Sequence, residues 1–420
     1  MIGHAFGGLV GAERVRPPNP AEALACETVV EPASAEQVAA IVRKCESDRI
    51  TLAPIGGART LANLRRTPVA IGLSMARMAR LIAYDPDDLT VVAEAGITLG
   101  ALNARTAARR QRLPLDPSAP ESVTLGATIG ASKGGPIRLS EGLVRDLLIG
   151  IQFVGHGGRI ARAGGRVVKN VAGYDLMKVL TGSFGTLGIV TEAAFKVRPI
   201  PELYALALAQ YDRIAQPFDS AAKLLDALPL AHLEVLSPRP GAAFGAGGQF
   251  LLLAGFSGNQ PEIDYQRTRI TEILKREAIP KRVEILEGGG AIEAYERLRD
   301  SEFPPDNLTV QLAVLPAELA RCLAQCDTEF RAHAGSGVAQ VSLAAAGTEA
   351  ARTAIARWRA IAASAHGHLR VLNAPSRLRG ELRENRFDLP GDGALKLMRR
   401  LKASFDPAGI FNPGCFVGGI

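Results

Sequence analysis

Hydrophobic and polar residues follow one pattern up to about residue 200 and another beyond it. Residues 26–55 predict a strand, a helix and a second strand, because Ser34 and Gln37 form a capping box and apolar residues then recur at helical spacing. Apolar runs predict further strands at 89–96 and 147–154. The first region therefore reads as several short strands with few long helices.

Beyond residue 202, strand-like runs alternate with amphipathic helical runs as far as about residue 370. This pattern predicts an α+β domain with an antiparallel sheet, for which a ferredoxin-like plan is expected. The chain is accordingly divided into four segments, which are a loose arm (1–24), a first domain (25–200), an α+β cap (201–372) and a segment that returns to the first domain (373–420).

Glycine-rich loops interrupt the first domain at 54–60, 117–135 and 182–189. Glycine adopts positive φ and lets another molecule approach the main chain closely. Successive backbone N–H groups in the first loop can bind an anion, and a loop as long as the second is rarely kept without a use. Together the loops predict a groove for a long ligand with a phosphate and a planar end. The first strand–helix–strand unit lacks G-x-G-x-x-G, which disfavours a nicotinamide site.

Four segments in this order resemble the FAD-binding domain of the vanillyl-alcohol-oxidase and p-cresol-methylhydroxylase (PCMH) type flavoproteins. They are PIGGART (54–60), TLGATIGA (124–131), GYDLMKVLTGSFGTLGIVTEAAFKVRP (173–199) and FDPAGIFNPG (405–414). The resemblance implies an α+β fold in which a two-part FAD-binding domain of the PCMH type carries an inserted cap. Within that family the chain is most similar to the E subunits of glycolate oxidase.

The resemblance also implies which residues bind FAD. Ala58 stands where some relatives carry a histidine that bonds the flavin, so non-covalent FAD is expected. The implied residues are Pro54, Ile55, Gly56, Gly57, Ala58, Arg59 and Thr60 around the pyrophosphate, Pro117, Thr124, Gly126, Ala127, Thr128, Ala131 and Gly135 along the flavin and its ribityl chain, and Gly185, Ile189, Val190 and Asn412 beside them.

Candidate catalytic residues are sparse. His333 begins a His-x-Gly-x-Gly run similar to one with which relatives hold a divalent metal, but Gln340 stands where they carry the second histidine. An amide is a poor replacement for imidazole, so no metal is expected, although His366 and His368 leave a remote alternative site. His333 and Tyr174 are weak candidates for a catalytic base, and the simpler interpretation of His333 is an ordinary loop residue.

Composition narrows the picture further. The net charge of +7 favours anionic ligands or an acidic partner, while an aromatic content of 5% argues against a surface that stacks nucleic-acid bases. The five cysteines lack framework or C-x-x-C spacing, which favours a reducing compartment and disfavours an iron–sulfur cluster in this chain. No signal peptide or membrane span is expected, so the predicted location is the cytoplasm, with at most peripheral association at the inner face of the membrane.

Three functions stay open at this stage. The resemblance implies an FAD-binding subunit of a glycolate oxidase (2-hydroxy-acid dehydrogenase) complex, with a D-type flavoprotein subunit and an iron–sulfur F-type subunit as partners. A second hypothesis is an autonomous FAD-linked dehydrogenase for a 2-hydroxy acid or an alcohol. A third is a scaffolding subunit whose FAD is structural.

Overall fold

The computed structural model describes residues 4–19, 25–56, 68–165, 174–276, 279–344, 347–375, 378 and 386–420. Two main sheets and a two-stranded ribbon (111–112 with 198–199) lie in the first half of the chain, and one larger sheet lies in the second half. The α+β class and the PCMH-type plan predicted from the sequence are confirmed by this architecture and by the structural neighbours described below.

The first sheet combines both ends of the chain. Ser34 Oγ accepts a hydrogen bond from Gln37 N at 3.3 Å, which confirms the predicted helix start. Leu52 pairs with Phe411, so the C-terminal segment joins this sheet's core. Its elements are α1 (His4–Val10), α2 (Ala35–Ser47), β1 (Val15–Arg16), β2 (Cys26–Val30), β3 (Leu52–Ile55) and β4 (Val69–Ser74), with strand order β1-β2-β4-β3.

The second sheet is antiparallel and has the order β5-β6-β10-β8-β9. Thr98 caps the helix that follows β6, as predicted, but that helix ends at Thr106 instead of near Arg112, because Arg110 adopts the left-handed conformation. The elements are β5 (Leu81–Asp85), β6 (Thr90–Glu94), α3 (Leu99–Thr106), β7 (Gln111–Arg112), α4 (Leu125–Ala131), α5 (Arg138–Glu141), α6 (Val144–Leu147), β8 (Leu148–Gly155), β9 (Arg159–Gly164), α7 (Leu176–Leu180), β10 (Ile189–Lys196) and β11 (Arg198–Pro199).

The expectation of an irregular loop throughout residues 113–136 is wrong. Residues 125–131 form helix α4, whose first turn is capped by Thr124, since its Oγ1 accepts from Ala127 N at 3.3 Å. Small residues dominate this helix, so its backbone packs close to neighbouring strands. Gly126, one of the glycines that suggested a loop, is therefore a place of close contact, because a Cβ there would lie 3.0 Å from Ala95 Cβ.

The cap is built on one eight-stranded antiparallel sheet with the order β15-β12-β14-β13-β17-β18-β16-β19. Most of its helices cover one face, where the largest hydrophobic core of the chain lies. The elements are β12 (Leu203–Tyr211), α8 (Ala215–Ala227), β13 (His232–Leu236), α9 (Pro238–Gly241), β14 (Phe250–Gly258), α10 (Gln260–Arg276), β15 (Arg282–Glu287), α11 (Gly288–Asp300), β16 (Leu308–Ala313), α12 (Leu319–Cys326), β17 (Glu329–His333), β18 (Val338–Leu343), α13 (Thr348–Ser364), β19 (His368–Asn373) and, after the cap, α14 (Asp392–Phe405).

Candidate functional site

A cleft of about 850 Å³, open to solvent, runs through the first domain between the two sheets and α4. Its walls are mostly backbone and small apolar side chains. The residues that line it are Pro54, Ile55, Gly56, Met75, Ala95, Val123, Thr124, Gly126, Ala127, Gly130, Ala131, Lys133, Ser183, Phe184, Gly185, Gly188 and Val190.

Nine of the residues implied by the resemblance line this cleft, namely Pro54, Ile55, Gly56, Thr124, Gly126, Ala127, Ala131, Gly185 and Val190. Gly57, Ala58, Arg59 and Thr60 lie outside the described residues. The sequence therefore located both walls of the cleft, and their role in binding FAD stays a prediction.

Two glycines hold the walls together. A Cβ at Gly56 would overlap Thr124 Oγ1, so β3 and α4 can touch only because residue 56 has no side chain. Gly185 has φ of +69°, and a Cβ there would overlap the ring of Pro54. Both positions require glycine for the shape of the empty protein as well as for any ligand.

Gly130 and Lys133 differ from the rest of the wall, and Lys133 was not predicted. A Cβ at Gly130 would meet no atom closer than Gly185 N at 4.0 Å, so this face of α4 opens into the cleft. Lys133 is the charged residue among the described residues that line the cleft. A cationic group in an otherwise apolar cleft fits an anionic or strongly polar cofactor.

The other implied residues lie behind the wall. Thr128 Oγ1 donates to Thr124 O at 3.0 Å inside α4, and Ile189 belongs to the core of the first sheet. Gly135 packs against the carbonyl oxygen of Asp116, and Pro117 is buried beside it. These residues support the cleft and do not line it.

Asn412 braces the cleft from the C-terminal segment. Its Nδ2 donates to Phe184 O at 2.6 Å, and both residues have positive φ, 41° at Asn412 and 54° at Phe184. Phe184 packs against Phe387 and Phe416 behind the cleft wall. The returning segment thus fixes the turn that precedes β10.

The face of the cap sheet opposite the main hydrophobic core carries a row of polar residues. In register, Arg331 lies opposite Gln340, Gln340 opposite Gln311, and Gln311 opposite Arg370. Glu234 and His333 pair on the same face, two residues along their strands. Period-two alternation within the apolar strands could have revealed this face, but the sequence analysis did not identify it.

His333 is held by Glu234, whose carboxylate oxygen lies 2.8 Å from His333 Nδ1. Burial raises the pKa of the Glu234 carboxyl, and the nearby His333 and Arg138 oppose that rise. If the neutral ring donates from Nδ1, Nε2 is left as a proton acceptor. His333 therefore forms a Glu–His pair with Glu234 and is not an ordinary loop residue.

Asp116 joins the first domain to the cap. It accepts hydrogen bonds from Gly135 N and Ile137 N, each at 2.9 Å, and from Tyr295 Oη on α11 at 2.8 Å. Burial raises the pKa of the Asp116 carboxyl, while these donors oppose the rise. Ser140 Oγ donates to Ala231 O at 3.0 Å and adds a second link between the domains.

His232 is fully buried and neutral. Tyr204 Oη lies 2.6 Å from its Nε2, and burial lowers the pKa of the imidazole to about 3. An imidazole that accepts from a phenol at Nε2 carries its proton on Nδ1, which is buried without a hydrogen-bond partner among the described residues.

Tyr174, the other base candidate, is 94% exposed and does not line the cleft. His366 and His368 are exposed. His366 lies in a turn with φ of 52°, so the two histidines do not share a strand, as the alternative metal site would require. Among the described residues, no three histidine, cysteine or acidic side chains come together as a metal site would require. Cys322 and Cys326 are buried in the cap core.

The fold is similar to that of PCMH-type FAD-binding proteins. The structure is similar to p-cresol methylhydroxylase, with a TM-score of 0.71 at 17% identity over 99% of this chain and 96% of that one. It is also similar to alkyldihydroxyacetonephosphate synthase, with a TM-score of 0.70 at 18% identity over 92% of this chain and 76% of that one.

Residues 26–164 match the family described as "FAD binding domain", and residues 389–415 match "FAD linked oxidases, C-terminal domain". These matches confirm the predicted cofactor, FAD, and support the predicted class, an FAD-dependent oxidoreductase. The cleft fits FAD, because the face of α4 at Gly130 is open toward the cleft and Lys133 places a positive charge beside it.

Curated relatives include the glycolate oxidase subunit GlcD of Bacillus subtilis, 34% identical over 49% of this chain and 43% of the relative. The glycolate oxidase subunit GlcE of Escherichia coli is 33% identical over 46% of this chain and 55% of the relative. An uncharacterized FAD-linked oxidoreductase of Mycobacterium tuberculosis is 28% identical over 92% of this chain and 90% of its own. The chain thus spans about half the length of the two glycolate oxidase subunits. In the described part of the chain, no helix is long and apolar enough to cross a membrane.

Proposed function

We propose that this chain is the FAD-binding subunit of a glycolate oxidase type complex and takes part in oxidising a small 2-hydroxy acid, with glycolate and glyoxylate as the expected substrate and product. The supporting relatives are the two glycolate oxidase subunits and D-lactate dehydrogenases, one of them from Anaerostipes hadrus at 32% identity over 45% of this chain. The proposed partners are a D-type flavoprotein subunit and an iron–sulfur F-type subunit, in the cytoplasm or at the inner face of the membrane.

One observation carries the redox part of the proposal. The cleft wall at Lys133 continues into Gly134, over which the guanidinium of Arg138 lies, and the electrostatic influence of Glu234 reaches Arg138 from the cap. Gly335, two residues after His333, packs against Leu139 of α5, so the Glu234–His333 pair lies on the side of the cap that contacts the first domain. A purely scaffolding flavoprotein has no need of a buried acid–histidine pair in that position.

Bound FAD would supply the acceptor for a hydride from the carbinol carbon of the substrate. The residues that would hold it are those that line the cleft. His333 would take the hydroxyl proton at Nε2, because Nδ1 is committed to Glu234. Glu234 would fix the tautomer and the ring orientation, and its burial keeps water away from the pair.

The match with the oxidoreductase of Mycobacterium tuberculosis favours a second candidate, an autonomous FAD-linked dehydrogenase. It extends over 418 aligned residues, whereas the match with the E subunit covers 194. On this alternative the same cleft and histidine act without partner subunits.

Anaerobic reduction of the flavin separates the candidates. The purified chain is mixed with glycolate or D-lactate, alone and with the D-type and F-type subunits, and its visible spectrum is followed. Bleaching only with partners supports the subunit, and bleaching of the chain alone supports the autonomous enzyme. A flavin that stays oxidised in both mixtures contradicts both and leaves a structural FAD.

A further inference from the structure

Helix α14 differs from the other long helices of the described ranges because it buries none of its residues. Every other described helix of eight residues or more buries at least three. Yet α14 carries five large apolar residues, which are Leu395, Leu397, Met398, Leu401 and Phe405. The helix therefore lies on the outside of the molecule, and its contribution to the hydrophobic core is small.

The inner side of α14 is nevertheless fixed in place. Lys402 Nζ donates to Thr186 O at 2.8 Å and to Phe411 O at 2.9 Å. Phe405 packs against the hydrophobic core of the second sheet. Thr186 directly follows Gly185, which lines the cleft. Because its inner side is held at several points, α14 presents its outer side in a defined orientation beside the cleft wall.

The outer side of α14 carries positive charge that the protein's own acids do not neutralise. Lys396, Arg399 and Arg400 are exposed, and none of them forms a hydrogen bond or an ion pair with the described part of the chain. On α13, by contrast, Arg359 forms an ion pair with Asp388 at 2.9 Å. In all, α14 contains four basic residues and one acidic residue. Its outer side therefore attracts negatively charged groups.

An exposed leucine lies among these cations. Leu397 directly follows Lys396, precedes Arg400 by about one helical turn, and is 56% exposed. Leu389, just before the helix, is 60% exposed. Covering such side chains removes apolar surface from water, and arginine is enriched where proteins meet. Cations around an exposed leucine thus have the composition of a protein-binding surface.

The orientation of the helix favours a protein over a membrane as the partner. A helix that lies on a lipid bilayer presents a broad apolar face to the lipid and its charges to the water. In α14 the apolar side is half-buried against the protein's own chain, and the outer side carries one leucine among cations. A second copy of this chain would bring two positive surfaces together, which repel each other. An acidic protein surface is therefore the partner that fits.

We propose that Lys396, Leu397, Arg399 and Arg400, the outer side of α14, bind an acidic surface of a partner subunit of the complex. The proposal rests on the proposed function and identifies the surface through which this chain joins its partners. Guanidinium groups bind carboxylates through paired N–H donors, and the partner covers Leu397. The bound subunit would lie next to the turn that forms one wall of the flavin cleft.

Binding is measured by calorimetry, with the FAD-loaded chain titrated separately against the purified D-type and F-type subunits. R399E/R400E should raise the Kd about 10- to 100-fold, because like charges then meet across the interface. K275E/R276E is the matched control, since it makes the same change at two adjacent exposed cations of α10, and it should bind like the wild type. The affinity of the wild type should fall as the salt concentration rises.

The leucine is tested in the same titration. L397S should raise the Kd about 10-fold, because the leucine is no longer covered in the complex. L315S, at a leucine of the cap that is 68% exposed, is its control and should bind like the wild type. FAD content and Tm should equal those of the wild type in every variant, because the substituted residues lie outside the cleft and the hydrophobic cores.

Each outcome decides between the proposals. Equal affinity of the wild type and R399E/R400E for the subunits would overturn the binding surface and leave the proposed function intact. Binding through α14 without reduction of the flavin by glycolate or D-lactate would refute the proposed function alone. If neither subunit binds the wild type, both proposals are wrong.

Vesicles of phosphatidylglycerol and phosphatidylethanolamine test the lipid alternative. The wild type should not co-sediment with them more than R399E/R400E does. Co-sedimentation that R399E/R400E abolishes, with subunit binding unchanged, would make α14 a lipid-binding surface and overturn the proposal.

Discussion

Replacing Gly130 with leucine is the sharpest test of the FAD cleft. Gly130 lies in α4 with its open face toward the cleft, and a Cβ there would meet nothing nearer than 4.0 Å. Leucine is a better helix former than glycine by somewhat less than about 1 kcal/mol, so the apoprotein should be as stable as the wild type or slightly more stable. The perturbation therefore acts on the ligand space and leaves the fold intact.

The expected loss of FAD affinity follows from packing. Forcing a new side chain into a filled, close-packed site costs about 1–3 kcal/mol, which corresponds to a Kd raised about 5- to 150-fold. Purified Gly130→Leu should carry less flavin per protein than the wild type. Fluorescence titration of its apoprotein with FAD should give the weaker Kd directly.

Gly8→Leu provides the matched control. Gly8 also lies in a seven-residue helix, its added Cβ would meet no atom within 4 Å, and it is remote from the cleft. Both variants should unfold at similar denaturant concentrations, but only Gly130→Leu should lose flavin. Full FAD content with unchanged Kd in Gly130→Leu would show that FAD does not occupy this cleft.

Three further predictions concern the supporting residues. The pKa of the His232 imidazole is near 6.5 in the unfolded chain and about 3 in the folded protein, so lowering the pH across this window favours unfolding. The Tm measured from pH 7 to pH 5 should therefore fall less steeply in His232→Gln than in the wild type. The exposed His368→Gln variant is the control and should behave like the wild type. Tyr295→Phe removes a hydrogen-bond donor to buried Asp116 and should lower the free energy of unfolding by about 1–3 kcal/mol in a urea titration. The control is Tyr265→Phe, at a residue that is 60% exposed, and an equally small change in both variants would argue against the link between the domains. Asn412→Ala removes the hydrogen-bond donor to Phe184 O and places alanine at a position with φ of 41°. It should reduce flavin retention, measured by absorbance after dialysis. Retention equal to the wild type would mean that the returning segment does not support the cleft.

The sequence determined much of the fold, because local chemistry decides local structure. Ser34 and Thr98 cap the helices that they were predicted to cap, since a cap depends on residues three positions apart. The glycine-rich segments identified in the sequence contain residues of both cleft walls. Glycine is needed at Gly56 and Gly185 because a side chain at either position would overlap a neighbouring residue. Helix α4 was missed since its small residues resemble those of a loop.

Only the tertiary structure decided how the cap end of the cleft is composed. Glu234 and His333 lie 99 positions apart in sequence, and Asp116 and Tyr295, which share a hydrogen bond, come from different domains. Alternation along a strand determines which residues share a face, but the register between strands and the docking of two domains determine which charges meet. Those pairings depend on long-range packing, so the sequence by itself predicted a flavin cleft, and the folded chain added the Glu234–His333 pair of the cap and the Asp116–Tyr295 link between the domains.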